Sequence, residues 1–473
     1  MQVNDAECNP NKENHIELPD GELIKSRLLL KVPLKNGKNA LFSNLTGAIA
    51  VVDEELENIL ELFDNSVKAK AVYGENPVIK KAVEQLFMGG LIVDSKADEF
   101  GLLEKTINSI KDRKDYGFMF IMTLKCNFRC VYCYEEHRPI EMIQETAEKC
   151  IEFMLQKINE SKQKTVSINF YGGEPLLKFD LIKCILETLE NRLPEDTKIT
   201  TSIITNASLL TPDIAQFLKK HNCTFAQITV DGVESIHNKM RPYADGGESF
   251  KDVIIGLKAA LSYFHRVGLR INVDKTNLDK IPEFLDWLKD NNFQHENLMI
   301  NFGQIHMVTD QSKCRGEFCI SDYSWGNHIL TLTKVAKEMG FKASFELPRL
   351  LFCGAYNKNS IIFNPDGTLI TCWEGAGTKE DFIIGDINKE SIYNENARTF
   401  WERTPLKFEK CRNCDIISFC GGGCISSAYF ENGTFESVSC PYYKENFKEL
   451  VEMYIQDKLE DEGAHHHVDF SKP

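Results

Sequence analysis

Three thiols within eight residues, Cys126-Asn127-Phe128-Arg129-Cys130-Val131-Tyr132-Cys133, constrain this chain more than any other stretch. Side chains this close in sequence share one loop, and that loop must wrap around whatever they bind. Three Cys at C-x3-C-x2-C spacing can hold three irons of a cubane and leave the fourth iron without a protein ligand. Iron–sulfur clusters are normally held by four Cys, so the set suits a cluster that binds something else at its open corner. Zinc is the rival reading, because structural zinc takes four ligands and His137 lies near enough in sequence to be the fourth. A disulfide framework is disfavoured, since nothing N-terminal reads as a secretory signal.

From Tyr116 the chain alternates strand and helix. Strands are expected at Phe118–Leu124, Val166–Tyr171, Ile199–Thr205, Phe225–Val230, Leu269–Val273 and Leu298–Phe302, with amphipathic stretches such as Glu145–Lys157 and Phe250–His265 between them. That alternation implies parallel βαβ units, and six of them suggest an open partial barrel. In such barrels function collects at the C-terminal strand ends, and the polar motifs fall there in turn. The cysteine loop follows the first strand, and Tyr171-Gly172-Gly173-Glu174-Pro175 ends the second. Thr205-Asn206 ends the third, and Asp231-Gly232 the fourth. Two glycines let backbone approach a ligand closely, and Glu174 can accept charge-assisted hydrogen bonds from an ammonium group. At the fifth strand Asn272 and Val273 are placed to line a ligand pocket. Gln304 and His306 follow the sixth and are placed to face a substrate, with a structural role as the default for His306.

The cysteine loop followed one strand later by Gly172-Gly173-Glu174 resembles the signature of the radical S-adenosylmethionine (SAM) enzymes. The resemblance implies that the open iron is chelated by the amino and carboxylate groups of SAM. It also implies that one electron from the cluster cleaves the sulfonium to give a 5′-deoxyadenosyl radical. Glu174 would bind the SAM amino group, with Tyr132, Gly172, Gly173, Thr205 and Asn206 around the cofactor. The stretch Asp231-Gly232-Val233-Glu234-Ser235-Ile236-His237-Asn238-Lys239-Met240-Arg241 resembles the DG…H…R segment of peptide-modifying relatives. It places Arg241 near the SAM carboxylate or the substrate, the alternative being a plain surface ion pair.

Nine of the sixteen Cys lie beyond residue 310. Cys353, thirteen residues, Gly367, four residues and Cys372 form one half of an array; Cys411-x2-Cys414-x5-Cys420-x3-Cys424 and then Cys440 form the other. Asn364-Pro365-Asp366-Gly367 is a turn signal between two apolar runs, so the first two thiols flank a hairpin. Gly421-Gly422-Gly423 gives backbone room to wrap a cluster. Two zinc sites are the rival, though seven thiols leave one zinc short of a four-thiolate set. The array resembles the SPASM domain at every spacing. That resemblance implies two auxiliary clusters, one on Cys411, Cys414, Cys420 and Cys440 and one on Cys353, Cys372 and Cys424. Sulfatase-maturing relatives have an extra Cys just after the first, and residues 354–371 contain none. Either Cys314 or Cys319 completes the second cluster, or it keeps an open iron on which a substrate thiolate can bind.

The first hundred residues read differently. Residues 1–20 form a loose polar tail. Arg27–Val32 and Ala40–Phe42 flank Asn36-Gly37, a strong hairpin signal. Asp53 caps a helix with Leu56, Ile59, Leu60 and Phe63 on one face, and Asn76-Pro77 opens another with Val78, Ala82, Val83, Leu86 and Phe87 on its apolar face. Gly89-Gly90 stops it and Leu91–Val93 is a strand. A hairpin, helices and a closing strand make a winged-helix-like module that resembles the PqqD-like peptide-recognition element, in which a leader peptide adds to a sheet edge. A helical cap that only stabilises the barrel is the plainer alternative.

The fold expected is therefore α/β: a partial (β/α)6 radical SAM barrel over residues 116–310, a PqqD-like domain over 21–105, a bridging region over 311–352, a SPASM domain over 353–445, and a C-terminal helix and tail over 446–473. Cys8 is incidental, and His465-His466-His467 are set aside as a polar segment. A formal charge of −15 argues against a general nucleic-acid binder. No apolar run reaches the ~18–20 residues that span a bilayer, and sixteen Cys without an export signal point to the cytoplasm and to metal. The family resemblance implies three 4Fe-4S clusters, SAM, a flavodoxin or ferredoxin as electron donor, and a ribosomally made precursor peptide as substrate. The product expected is a thioether between a peptide Cys and an α, β or γ carbon. Formylglycine formation, carbon–carbon cross-linking and epimerisation are alternatives, and a non-catalytic metal-binding scaffold is the alternative from another class.

Overall fold

The computed structural model describes residues 18–34, 37–111, 116–161, 165–305, 317–343, 353–377 and 379–461. Cys8, Asn36 of the hairpin signal, His306, Cys314 and His465-His466-His467 lie outside these residues. The chain divides into two compact units: residues up to 107 together with 413–419, and residues 108–412 together with 420–461.

In the first unit β1 (Glu22–Lys25), a short strand with polar flanks that apolar alternation does not flag, is the centre of a three-stranded antiparallel sheet. β2 (Leu29–Pro33) and β3 (Asn39–Ser43) pair antiparallel with Pro33 opposite Asn39, and β4 (Ile49–Val52) lies on the other side of β3. Gly37 takes φ +80° in the turn, a conformation glycine adopts without steric cost. α1 (Glu54–Glu61) begins where Asp53 accepts the amide of Leu56 at 3.0 Å. β5 (Val67–Lys68) and the short α2 (Ala69–Tyr73) lead to α3 (Pro77–Met88), capped by Asn76, which accepts the amides of Val78 at 2.9 Å and Ile79 at 3.3 Å. The apolar face of α3 differs from the expected one at its start. Val78 is 72% exposed, and Ile79 packs on the core with Val83 and Leu86, an i, i+4, i+7 stripe. β6 (Ile92–Asp94) pairs with β1 on the side opposite β5, and α4 (Glu99–Lys111) follows. Residues 413–419 join this unit through Asn44. Its buried amide donates to the carbonyl of Asp415 at 2.7 Å and accepts from the hydroxyl of Ser418 at 2.7 Å.

The second unit carries the strand–helix alternation. β7 (Tyr116–Ile121), β8 (Thr165–Tyr171), β9 (Lys198–Thr205), β10 (Cys223–Thr229), β11 (Arg266–Val273) and β12 (Leu298–Gln304) lie side by side in chain order, all parallel. The connections contain α5 (Gln144–Ser161), α6 (Phe179–Arg192), α7 (Pro212–Lys220), α8 (Glu234–Met240), α9 (Phe250–Tyr263) and α10 (Ile281–Asp290). Along β8 the side chains alternate, with Val166, Ile168 and Phe170 buried and Ser167, Asn169 and Tyr171 half-buried, so the sheet has one dry face and one more polar face. After α11 (Asp322–Glu338), β13 (Lys342–Ala343) adds parallel to β12. β14 (Ser360–Phe363) then adds parallel to β7 at the opposite edge, and β15 (Thr368–Ile370) and β16 (Ile383–Asp386) continue antiparallel. Among the described residues this makes a sheet of ten strands, the six expected parallel ones flanked by four more. The Asn364–Gly367 turn joins β14 to β15 as expected, with Gly367 at φ +91°. No helix among the described residues is long and apolar enough to cross a membrane.

The seam between β14 and β7 is aromatic. Phe363, fully buried, lies 5.8 Å from Phe118, 5.0 Å from Phe120 and 5.9 Å from Phe153 between ring centroids. Ring pairs at this separation add to the stability gained by burial. Phe363→Ala is expected to cost about 3–5 kcal/mol, read as a lower denaturant midpoint of the larger unit. A change below ~1 kcal/mol would show that the seam does not hold the C-terminal strands to the barrel.

Candidate functional site

The cysteine loop is held from two sides by backbone. On one side the ends of β7 and β8 meet: the amide of Met122 donates to the carbonyl of Tyr171 at 2.9 Å, Gly173 to Thr123 at 2.9 Å, and Glu174 to Lys125 at 3.0 Å. A Cβ on Gly172, at φ +127°, would stand 2.4 Å from the carbonyl of Thr123; one on Gly173 would stand 2.3 Å from that of Lys125 and 3.1 Å from Cβ of Cys126. Only glycine fits at either position. On the other side the segment after α8 takes the loop: Arg129 donates to Pro242 at 2.9 Å, Val131 to Met240 at 3.0 Å, and Ala244 to Asn127 at 2.7 Å. Phe128 packs edge-on against Tyr243 with centroids 4.9 Å apart.

This frame sets Cys126, Cys130 and Cys133 near enough that each thiol feels another's charge. The Sγ of Cys126 accepts the amide of Phe128 at 3.4 Å and the side-chain amide of Asn206 at 3.8 Å. Burial pushes the Cys126 thiol up to about 12, the Glu174 charge adding to it, and burial also raises Cys130 and Cys133. In the metal-free chain these are protonated thiols, and a metal centre must displace their protons.

Glu174 is fully buried at the end of β8. One carboxylate oxygen accepts the amide of Leu176 at 2.9 Å and the hydroxyl of Thr205 at 2.7 Å; the other accepts the amide of Asn206 at 2.7 Å. Burial nevertheless raises its pKa. An ionised carboxylate has about four acceptor positions, so one remains for a ligand. Asn206 in turn donates to Asn127 at 2.8 Å.

The fourth strand end is tied to the same loop. The hydroxyl of Tyr132 donates to Asp231 and accepts from Arg241 at 2.7 Å and from Asn272 at 3.0 Å, which fills the capacity of a phenol. Asp231, fully buried, also accepts the backbone amide of Asn272 at 2.9 Å. Arg241 is buried, with the charges of Cys130, Tyr132 and Asp231 around it, so the surface-pair alternative does not hold. Its Nε has no hydrogen-bond partner, nor has Nε2 of the buried His237. Burial and then Arg241 lower His237 well below its usual range, so the ring is neutral at pH 7. Val273 is fully buried in the core and does not line a pocket. Gln304 is held by the carbonyl of Ile320 at 2.9 Å and by Asp322 at 2.5 Å.

Tyr134 and Glu135 escaped the sequence reading although they directly follow the last cysteine of the loop. The hydroxyls of Tyr134 and Tyr171 share a hydrogen bond. Beside them Glu135 is buried with one carboxylate oxygen unpartnered, and burial raises it to about 7 against a lowering hydrogen bond with Tyr171. Their contiguity with Cys133 was the signal available. His137, the zinc alternative's fourth ligand, has no hydrogen-bond partner at either ring nitrogen.

Of the C-terminal thiols, Cys353, Cys372 and Cys424 come together: burial raises Cys372 well above the thiol range, and the charges of Cys353 and Cys424 act the same way. Cys353 is exposed as a residue, yet crowding by surrounding protein raises its thiol to about 11, with Cys424 and Glu374 adding to the rise. Cys424 caps the helix Ile425–Asn432, its Sγ accepting the amide of Ser427 at 3.5 Å. Gly421, Gly422 and Gly423 all have positive φ, and a Cβ on Gly423 would stand 1.6 Å from the carbonyl of Ser439, the residue before Cys440. Cys414 falls in the first unit, and Cys411, Cys420 and Cys440 in the second. Cys319 sits beside the ends of β11 and β12, where Lys275 donates to Phe318 at 2.9 Å and Gln304 to Ile320 at 2.9 Å.

Among the described residues no three His, Cys, Asp or Glu side chains converge as the ligands of a single ion do. A cubane asks for a wider set, one thiolate per iron. The two thiol trios suit that requirement, with glycine-lined backbone close to each.

Residues 120–288 match the family model of the radical SAM superfamily. The chain therefore carries a radical SAM domain, and its sheet of parallel strands is the α/β fold of that domain. The radical SAM cyclopropyl synthase TigE of Paramaledivibacter caminithermalis is 22% identical over 91% of this chain and 96% of its own length. A cysteine-type anaerobic sulfatase-maturating enzyme of Clostridium novyi is 22% identical over 69% of this chain and 92% of its own. Among solved structures, native anSMEcpe with bound AdoMet and Cp18Cys peptide shares the fold at a TM-score of 0.58 and 19% identity, covering 73% of this chain and 98% of that one.

Two substitutions test the frame. Gly173→Ala is expected to lower the iron taken up on anaerobic reconstitution while circular dichroism stays native; unchanged iron would show that the close approach is not required. Tyr132→Phe leaves a buried Asp231 oxygen without its donor, an expected loss of about 1–3 kcal/mol in chemical denaturation.

Proposed function

We propose that this protein is a radical SAM maturase that forms an intramolecular thioether in a ribosomally made precursor peptide. The observation that carries the reading is the three-thiol loop facing Glu174 and Asn206 at adjacent strand ends, inside a domain that matches the radical SAM family. Cys126, Cys130 and Cys133 hold the SAM-binding 4Fe-4S cluster. When bound, that cluster supplies the electron that converts SAM into a 5′-deoxyadenosyl radical.

The chain's residues then have these roles. Glu174 offers its remaining acceptor position to the SAM amino group, and Thr205 and Asn206 hold that carboxylate in place. Tyr132, Gly172 and Gly173 shape the cofactor's surroundings. Arg241, held by Tyr132 and with Nε unpartnered, would serve the SAM carboxylate or the substrate. Asn206 orients toward the Cys126 sulfur, and outer hydrogen bonds of this kind tune a metal centre. Cys353, Cys372 and Cys424 hold one auxiliary cluster, and Cys411, Cys414, Cys420 and Cys440 the other. The domain limits given above, including a peptide-recognition domain at 21–105 and an auxiliary-cluster domain at 353–445, belong to this reading.

Overall the peptide loses one C–H and one S–H bond and gains one C–S bond. The hydrogen atom leaves with deoxyadenosine, and the thiol's proton and the remaining electron leave separately, the electron to an oxidised acceptor, a role that auxiliary clusters would supply when bound. The protein's main contribution is placement, since the radical must meet one hydrogen and no other. An edge strand of the β2–β3–β4 sheet is where the leader peptide would add. A flavodoxin or ferredoxin as reductant, and a cytoplasmic setting, complete the reading. The peptide bound in the anSMEcpe structure supports a peptide substrate.

A second reading, carbon–carbon bond formation in the peptide, is favoured by the near full-length similarity to the cyclopropyl synthase TigE. Mass spectrometry separates the two. Incubation of reduced protein, SAM and a Cys-containing precursor peptide is expected to remove two hydrogens from the peptide and to block alkylation of its Cys. The same mass loss with the Cys still alkylated would favour the second reading. A Cys converted to an aldehyde would move the protein to the sulfatase-maturing type.

Metal content tests the cofactor assignment. The anaerobically reconstituted protein is expected to hold about twelve irons, falling to about eight in Cys126/Cys130/Cys133→Ala. Zinc without sulfide in the same preparation would leave a metal-binding scaffold as the better account.

A further inference from the structure

A cluster on Cys353, Cys372 and Cys424 has one iron without a thiolate, and one acidic side chain bridges the loops that carry two of the three thiols. Glu374 lies two residues past Cys372, in the short turn Trp373–Gly375. Its carboxylate accepts a hydrogen bond from Ser426, two residues past Cys424. That bond ties together the loops carrying two of the three thiols. The Glu374 charge reaches the thiols of both Cys372 and Cys353. Lys379 stands beside it, its ammonium donating to the Glu374 carbonyl at 3.3 Å. On the far side the charge reaches Tyr134, next to Cys133 of the first loop.

We propose that Glu374 is the fourth ligand of the cluster held by Cys353, Cys372 and Cys424, bound through a carboxylate oxygen that a peptide thiol displaces. The inference rests on the cluster assignment made under the proposed function. The chemistry favours exchange. A carboxylate is a harder ligand than a thiolate and suits an iron of a thiolate-held cluster less well. It completes the centre when no peptide is present and yields to sulfur when one arrives. The exchange balances: the incoming thiol loses its proton to the buffer and binds iron as the thiolate, and Glu374 leaves as a free carboxylate.

The test uses the full chain in the Cys126/Cys130/Cys133→Ala background, so that only auxiliary centres are read. Glu374→Ala, Glu374→Gln and Glu374→Cys are reconstituted anaerobically, then compared by iron content and electron paramagnetic resonance after mild oxidation. Glu374→Gln keeps the side chain's shape and a hydrogen-bonding partner for Ser426, so it guards against misfolding as the cause. Glu374→Ala and Glu374→Gln are expected to lose about one iron per chain and to show a three-iron signal. Glu374→Cys is expected to keep that iron and to lose the optical shift that β-mercaptoethanol produces in the parent. Iron and spectra in Glu374→Ala and Glu374→Gln that match the parent would overturn the proposal. Cys353/Cys372/Cys424→Ala in the same background is expected to lose about four irons. If it loses none, the cluster assignment fails as well; if it loses four while the Glu374 variants match the parent, only the fourth ligand is wrong.

Discussion

The backbone at the ends of β7 and β8 approaches so closely that no side chain fits between them, and the rest of the site depends on that contact. Gly172 and Gly173 lie against the carbonyls of Thr123 and Lys125 at distances a Cβ cannot share. Cys126 follows directly from this seam, and Glu174 turns from it into the buried pocket where Thr205 and Asn206 meet its carboxylate. Parallel pairing brings the strand ends side by side, but the glycines set their separation. A larger residue at either position would push the first thiol away from the carboxylate it faces.

Burial of charge is the second organising constraint. Glu174 and Asp231 are both fully buried, and burying an unpaired charge is strongly unfavourable. The chain meets this cost with several donors to each carboxylate and with one buried cation, Arg241, whose charge reaches both. Tyr132 passes that compensation on, accepting from Arg241 and donating to Asp231. An aromatic residue before the last cysteine thus does more than fill space: its hydroxyl fastens the cysteine loop to the fourth and fifth strands. Arg241 Nε and the last acceptor position of Glu174 remain over, one positive and one negative, suiting a ligand that carries both a carboxylate and an ammonium group.

Much of this was legible in the sequence where chemistry and spacing coincide. The six strands of the alternation, the Asp53 and Asn76 caps, the Asn364–Gly367 turn and the gathering of Cys126, Cys130 and Cys133 each rest on local signals, and local signals survive folding. Long-range pairing was not legible. Nothing in Ser360–Phe363 says that it will add to β7 across more than two hundred intervening residues, or that Phe363 will insert among Phe118, Phe120 and Phe153. The same holds for Glu374, whose meaning comes from Ser426 on a distant loop. Val78 and Val273 failed for a different reason: an apolar residue at a helix start, or at the end of a strand, can face either way, and packing decides.

The central claim is that the Cys126 loop, Glu174 and Asn206 form a site where SAM meets a reducing metal centre. Anaerobic incubation of the reconstituted protein with SAM and dithionite, followed by chromatography for 5′-deoxyadenosine, tests it most directly. The account predicts release of deoxyadenosine by the intact protein and none above background from Cys126/Cys130/Cys133→Ala. Fully loaded protein that leaves SAM intact, with or without peptide, would contradict it.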